Sequence, residues 1–268
     1  MKFFLFSFSF FLATSIVGQK GYEVGGWLGT GFYYGDLNTG LSIRKPGIAG
    51  GLIGKYNFDT RVSLKAGLNY AVVGGDDATS DNIYQYNRNL SFKSRIIDFT
   101  TNVELNFLEY YHGSNDQYYT PYLLVGFSFF HFTPQAQLND TWYDLRPLGT
   151  EGQDVGNEYG SINAGFALGF GFKYDLNRDY SLNIEISTHR TFTDYIDDVS
   201  TVYADPLTLA SRRGPISPQL ADRSLIDAIG EPGRQRGNSR DNDVYNLFSI
   251  GLVKYFGRLE CPKITRDL

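Results

Sequence analysis

The stretch from Ser161 to Tyr174 alternates strictly between two kinds of residue. One parity is apolar and mostly bulky, with Ile162, Ala164, Phe166, Leu168, Phe170, Phe172 and Tyr174. The other parity is small or polar, with Ser161, Asn163, Gly165, Ala167, Gly169, Gly171 and Lys173. A period of two is that of a β-strand. Because the small face holds too little side-chain volume for a hydrophobic core, we expect the apolar face to lie on the outside of the protein.

Similar strand patterns recur along the chain, at residues 22–35, 47–58, 60–73, 93–108, 121–133, 180–193 and 243–257. The connections between them alternate, with about 10, 19, 25 and 49 residues on one side and about 2, 12 and 5 on the other. An even number of strands with alternating long and short connections is typical of outer-membrane barrels. The sequence therefore predicts an all-β fold, an eight-stranded antiparallel up-and-down transmembrane β-barrel with long extracellular loops and short periplasmic turns.

The competing fold is a soluble eight-stranded barrel of the lipocalin type, in which the apolar parity lines a ligand cavity. The charged strand residues share the parity of Gly, Ser and Asn, and they are Arg61, Lys65, Asp98, Glu104, Lys173 and Glu185. This placement, the long strands and the unequal loops favour a membrane barrel with a polar interior. We expect these charges to pair inside the barrel and to fill it without a continuous aqueous channel.

The two ends of the chain differ from its middle. Residues 1–18 place Lys2 before an apolar run, which predicts a secretory signal peptide. We expect residues 19–257 to form the barrel, with a long extracellular loop at 194–242, and residues 258–268 to form a polar periplasmic tail. The chain has a single cysteine, Cys261, so no internal disulfide is possible. A net charge of -5 disfavours nucleic acid as a partner.

Support for catalysis is thin. Ser187 and His189 share one strand face, but hydrolysis also needs an orienting acid and oxyanion donors, which the sequence does not locate. We therefore expect no enzyme, no cofactor and no metal. Asp194, Asp197 and Asp198 could hold calcium, although Asp more often closes turns and caps backbone amides.

The long loop has helix signals of its own. Asp205 followed by Pro206 predicts a short helix that continues to Leu209. A second helix is predicted from Pro218 to Ile229. A long loop with ordered structure tends to be functional, and the simpler alternative is a lid that shields the barrel mouth.

Several segments of the sequence resemble the PorG family of outer-membrane barrels. In the long loop, the residues that carry this resemblance include Asp194, Tyr195, Asp197, Asp198, Ser200, Asp222, Arg223 and Ser224. Further similar segments are Asp205-Pro206, Arg236-Gly237 before Asp243 and Tyr245, Tyr34 to Leu37 after the first strand, and Cys261-Pro262 in the tail.

This resemblance implies a component of the type IX secretion system of certain gliding or protease-secreting Gram-negative bacteria. The implied partners are membrane lipid, periplasmic ring proteins of the PorK/PorN kind and other outer-membrane translocon components. Such a barrel supports the export of cargo proteins to the cell surface. The alternative is a general surface barrel of the OmpA or OmpX kind, which serves membrane integrity or adhesion.

If the barrel contacts a periplasmic ring, the contacts are expected on the connection 109–120 and on the tail. The candidate contact residues are Tyr110, Tyr111, Tyr118, Tyr119 and Cys261. Tyrosine suits an interface because it joins apolar area to a hydrogen-bonding tip. These tyrosines are equally typical of the aromatic belt at a membrane surface.

Overall fold

The computed structural model describes residues 20–40, 43–226 and 229–257. The strands are β1 (Gly21–Tyr34), β2 (Gly47–Asn57), β3 (Val62–Asp76), β4 (Ser91–Asn106), β5 (Tyr119–Leu138), β6 (Thr141–Asp144), β7 (Ile162–Asp175), β8 (Tyr180–Thr191) and β9 (Val244–Gly257). The α-helices are α1 (Ile83–Arg88), α2 (Pro206–Arg213) and α3 (Ile216–Ala221). The predicted signal peptide, the predicted tail and Cys261 lie outside the described residues.

Eight of these strands close into an antiparallel barrel. β1 to β5 pair in chain order, β5 then pairs with β7, β7 with β8, and β8 with β9. The barrel closes where β1 pairs with β9, from Gly21 opposite Gly257 to Tyr34 opposite Val244. Closure leaves no free sheet edge, which a bilayer requires. The predicted eight-stranded barrel is confirmed.

The connections at the two ends are unequal, as predicted. At one end, here called the short-turn end, they comprise residues 58–61, 107–118 and 176–179. At the other, the long-loop end, they comprise residues 35–46, 77–90, 139–161 and 192–243. All three α-helices belong to the long-loop end, so the structured loops gather over one mouth of the barrel.

The fifth strand continues beyond its predicted end at Thr133. β5 runs to Leu138 and turns back as β6, with Gln135 opposite Asp144. Asn139 and Asp140 form the turn in the left-handed region, with φ of 48° and 62°. Asn and Asp tolerate this region better than most residues. This hairpin was not predicted, although Ala136 and Leu138 alternate with Gln135 and Gln137 on its first strand.

The barrel exterior is apolar. Leu28, Leu52, Leu68, Phe127 and Phe170 are each at least half exposed on the outer wall. Near the short-turn end, aromatic rings follow this band, with Tyr119 stacked on Phe172 and Tyr118 edge-on to Tyr174. An apolar wall with an aromatic rim around a polar interior is the arrangement of outer-membrane barrels.

The described α-helices are short, with six to eight residues each. Within the three described ranges of the chain, no helix has the length and apolar character needed to cross a bilayer.

The long loop contains helices close to the predicted positions, with one correction. Asp205 caps α2 by accepting a hydrogen bond from the amide of Thr208 at 2.8 Å. The helix predicted over 218–229 is wrong beyond Ala221. Asp222 has extended backbone, and its carboxylate accepts hydrogen bonds from the amide and hydroxyl of Ser224, which ends α3.

Candidate functional site

Six charged side chains form a mid-barrel network inside the barrel, three glutamates and three lysines. The members are Glu23, Lys55, Lys65, Glu104, Lys173 and Glu185. Glu104 lies at its centre, 2.6 Å from the ammonium of Lys173 and 3.2 Å from that of Lys55. Lys65 joins Glu104 to Glu185, at 3.7 Å and 2.6 Å. Charges of opposite sign are therefore balanced among buried side chains.

Tyr122 ties this network to the barrel wall. Its hydroxyl donates to Glu185 at 2.6 Å, and its ring lies across β7 at Gly171. A Cβ on Gly171 would come within 2.3 Å of that ring, so glycine is needed there for the ring to pass. The small-residue parity of β7 thus makes room for a large side chain from the neighbouring strand.

The predicted interior charges do not all belong to this network. The predicted charges that belong to it are Lys65, Glu104, Lys173 and Glu185. Arg61 does not, and its prediction is wrong: it precedes β3, is exposed, and pairs with exposed Glu109 at 3.5 Å. Two members were missed, although they occupy the inward parity of their strands. These residues, Glu23 and Lys55, lie directly opposite each other across the β1–β2 pair.

Asp98, the remaining predicted interior charge, lies nearer the long-loop end beside His189. The Asp98 carboxylate is 3.6 Å from His189 Nδ1, and Ser187 Oγ is 3.3 Å from His189 Nε2. The arrangement of Ser187, His189 and Asp98 resembles the Ser-His-Asp triad of a hydrolase. All three residues are buried, however, and the adjoining cavity of about 30 Å³ has room for a water molecule but not for a lipid.

The connection 107–118 places two buried side chains, Tyr110 and His112, at the short-turn end of the barrel. His112 lies 3.2 Å from Glu23 through Nε2 and 3.0 Å from Asp175 through Nδ1. Its ring stacks on Tyr255 at 4.2 Å. Burial alone would lower the pKa of His112, but its hydrogen bonds to Asp175 and Glu23 outweigh burial and raise it. Protonation of His112, which these two carboxylates favour, would complete an ion-paired plug.

The tyrosines predicted as periplasmic contacts separate into different environments. Tyr110 is buried and donates a hydrogen bond to Asp175, so its prediction as an outward contact is wrong. Tyr119 is exposed on the lipid-facing wall, in the aromatic belt that was the alternative interpretation. Tyr111 and Tyr118 are half-buried at the short-turn end and remain candidates for a contact.

The long-loop end is covered by a cap to which residues 192–226 and 229–243 contribute together with the other long loops. At its base, the hydroxyl of Tyr33 lies 2.5 Å from Asp197 and 2.7 Å from Asp243. A hydroxyl carries one proton and cannot donate to both carboxylates. Burial and mutual repulsion raise the pKa of Asp197, and burial raises that of Asp243. Protonation of one of the two acids would let that acid donate to the Tyr33 oxygen while the Tyr33 hydroxyl donates to the other acid.

Arg236 is the cation at the centre of the cap. It is fully buried and donates to Glu151 at 3.1 Å and to the Asp198 carbonyl, with the Asp198 carboxylate 3.6 Å away. Burial raises the pKa of Asp198 to about 6, and Arg236 opposes this rise. Asp198 has a φ of 67°, unusual outside glycine, and hydrogen bonds from Thr150 and Tyr159 hold it there.

The other residues of the predicted loop motif build the same cap. Asp194 is buried, and burial together with Asp243 raises its pKa to about 9. Tyr195 stacks on Tyr159 at 4.3 Å. The amide of Ser200 donates to Glu151 at 2.8 Å.

Asp194, Asp197 and Asp198 thus do not form the calcium site that was the alternative interpretation of this loop. Among the residues that the structure describes, no group of three or more His, Cys, Asp or Glu is arranged to hold a metal ion. Asp222 and Ser224 close a turn after α3, and Arg223 reaches outward to the Ser91 hydroxyl at 3.1 Å.

Comparison with known proteins gives a family match without a described activity. The family model described as "Domain of unknown function (DUF6089)" matches residues 1–208. No curated protein matches the chain.

Among solved structures, the chain is similar to the outer membrane protein OprG from Pseudomonas aeruginosa, with 11% identity and a TM-score of 0.46 over 90% of this chain and 98% of that one. Neisserial surface protein A (NspA) matches with 10% identity and a TM-score of 0.44 over 89% and 99%. Ail of Yersinia pestis, solved in complex with the heparin analogue sucrose octasulfate, matches with 8% identity and a TM-score of 0.40 over 90% and 100%.

Proposed function

The chain belongs to the DUF6089 family, and we propose that it is a non-enzymatic outer-membrane component of a type IX protein secretion machinery. In this role the short-turn end faces the periplasm and associates with ring proteins of the PorK/PorN kind. The cap faces the cell exterior. The barrel supports cargo export without itself conducting the cargo.

The observation that carries this proposal is the convergence of the PorG-like segments in the cap. Asp36, from the segment after β1, accepts a hydrogen bond from the amide of Asn238 at 2.7 Å. Asp198 and Arg236, from two further segments, meet in one buried cluster. Segments far apart in the sequence thus serve one structure, which supports treating their resemblance to the PorG family as a shared cap architecture.

The filled interior supports the accessory role. The mid-barrel network and the plug around His112 occupy the positions that an open channel needs. The Ser187–His189–Asp98 arrangement is buried next to space for about one water molecule, which favours a structural role over lipid hydrolysis.

A second candidate function is that of a surface barrel for adhesion or membrane integrity. It is favoured by apolar side chains that the long-loop end exposes, including Ile83 and Leu207 at 79% each and Leu225 at 58%. Side chains of this kind on ordered loops are suited to binding an external partner.

Cross-linking and co-purification from native outer membrane separate these two functions. A secretion component is expected to bring PorK/PorN-like ring proteins with it. Replacement of half-buried Tyr111 and Tyr118 by alanine, or deletion of residues 258–268, is expected to reduce this recovery while the barrel stays inserted. The matched control is Tyr86→Ala, which removes an exposed tyrosine from α1 at the opposite end.

Recovery of wild-type barrel without ring proteins would contradict the secretion role and favour the surface barrel. Equal recovery of ring proteins by all variants would support the association but would show that the short-turn end is not its site. A change in lipid A or phospholipid composition that depends on Ser187 would instead indicate an enzyme.

A further inference from the structure

A groove on the outer wall of the barrel lies beside the long-loop end, between the β3–β4 pair and the β5–β6 hairpin. Its volume is about 560 Å³. Gly74 and Val72 belong to its floor, and its walls include Lys93, Trp142 and Arg223. Gly74 is directly opposite Lys93 in the β3–β4 register, so the floor beside the ammonium carries no side chain.

We propose that this basic groove binds the phosphate-bearing headgroup of an anionic lipid in the adjacent membrane leaflet. The proposal concerns the barrel wall and does not depend on the secretory role. It also assigns a function to Arg223, a residue of the PorG-like loop motif whose side chain does not take part in the buried contacts of the cap.

Two cations in the groove lack an ion-pair partner among the described residues. The Lys93 ammonium lies 3.8 Å from the centre of the Trp142 ring, and Arg223 donates to the neutral hydroxyl of Ser91 at 3.1 Å. Both therefore keep donors for a further anion. Phosphate suits them, because lysine binds it as a point charge and arginine through its planar fork.

Nearby acids are mostly engaged elsewhere. Asp76 pairs with Lys45, and Asp144 accepts a hydrogen bond from Gln135 at 2.6 Å. Asp140 is exposed in the hairpin turn at the edge of the groove. The anion is therefore expected on the Lys93 and Arg223 side, away from Asp140.

The position of the groove favours a lipid over a free anion. Along β4 the outward residues pass from Lys93 through Arg95 to Ile97, and Ile97 is paired with exposed Tyr70 on β3. Headgroup contacts thus continue directly into the apolar band, where acyl chains would lie. Trp142 adds an amphipathic ring of the kind found at membrane interfaces.

Lipid binding to the full-length barrel, folded in phosphatidylcholine nanodiscs, tests the proposal. The probe is diphosphoryl lipid A, whose phosphates carry net negative charge, the comparison is the zwitterionic, net-neutral phosphatidylcholine of the disc, and native mass spectrometry is the readout. The double variant K93Q/R223Q is expected to bind lipid A about tenfold more weakly, because two charge-assisted contacts are lost. Binding by the wild type should also weaken as salt is raised.

The matched control is Lys254→Gln, since Lys254 also lies over aromatic rings, those of Tyr180 and Phe256, but at the short-turn end. It should leave lipid A binding unchanged. Equal loss in both variants would show non-specific charge attraction, and no loss in the double variant would remove the site. Displacement of lipid A by an equal concentration of inorganic phosphate would show a free-anion site and overturn the lipid assignment. Both cations are half-buried. The folding of each variant is therefore checked by the faster electrophoretic migration of the unheated barrel.

Discussion

The mid-barrel network and the cap both bury carboxylates, but they compensate the charges differently. In the network, three glutamates face three lysines at distances from 2.6 to 4.0 Å. In the cap, Asp194, Asp197 and Asp243 lie together without a lysine or arginine bound to any of them in the described parts of the chain. The network is therefore held by ion pairs, whereas the base of the cap brings together acids whose pKa values are raised by burial, an arrangement that protons shared among them would stabilise.

This difference means that the barrel and the cap respond to different perturbations. A balanced network loses its stability when one member is removed, and the loss reaches every strand that contributes to it. An acid-rich cluster is destabilised when its acids are deprotonated, and we expect this destabilisation to be confined to the loops of the cap. The barrel and the cap can therefore be disturbed independently, which the following changes test.

The largest effect is expected from Glu104→Gln. This change leaves Lys55, Lys65 and Lys173 buried around a neutral side chain, so the free energy of unfolding should fall by about 5 kcal/mol. Urea unfolding in lipid vesicles, followed by tryptophan fluorescence, measures it. The control Glu109→Gln removes the exposed partner of Arg61 and should cost less than about 1 kcal/mol. Similar losses in the two variants would contradict the central place of Glu104.

A smaller and local effect is expected from Arg236→Gln. Glu151 and Asp198 would lose their buried cation, which should destabilise the cap by about 3 kcal/mol while the strands remain paired. Limited proteolysis should then cleave within 192–243, and hydrogen exchange of the strand amides should stay slow. Arg212→Gln is the matched control, because its pair with Asp154 is exposed. Loss of strand protection together with cap protection would show that the two regions are coupled.

The sequence could predict the network better than the cap, for a geometrical reason. Strand parity alone assigns Lys65, Glu104, Lys173 and Glu185 to the interior. Arg61 has the right parity but stands one residue before β3, where parity no longer fixes the direction of a side chain. Glu23 and Lys55 were present in the same pattern and were overlooked.

No periodicity links the residues of the cap or the plug. Tyr33, Asp197 and Asp243 meet only after β1, the long loop and β9 have been brought together by barrel closure. The inward direction of Tyr110 likewise depends on how its connection folds into the barrel mouth. The resemblance marked several cap residues as important, but their contacts required the tertiary structure.

The cap should loosen as pH rises. The folded-state pKa of Asp194 is raised to about 9 by burial and by Asp243, with Asp36 and Glu151 also facing it. Such an acid stabilises the folded cap fully below its ordinary pKa of about 3.9, and the contribution is lost as pH rises toward 9. In this window the opening equilibrium should increase by at most about tenfold per pH unit for this proton.

Hydrogen exchange of residues 192–226 at several pH values measures this dependence. Asp194→Asn cannot release the proton, so it should flatten the profile, and Asp205→Asn, at the exposed start of α2, should leave the profile unchanged. A cap that tightens as pH rises would contradict the shared-proton description of its base.

The smallest effect is expected at the plug, where compensation depends on one histidine. The raised pKa of His112 means that its contribution is fully present below about pH 6.5 and is lost as pH rises through the folded-state value. His112→Gln should therefore lower the free energy of unfolding by about 1 kcal/mol at low pH, with the two proteins converging at high pH. His131→Gln, on the exposed outer face of β5, is the control and should show no such convergence. A His112→Gln deficit that grows with pH would mean that the neutral imidazole holds the plug. The short-turn end would then resemble neither the ion-paired network nor the protonated cap.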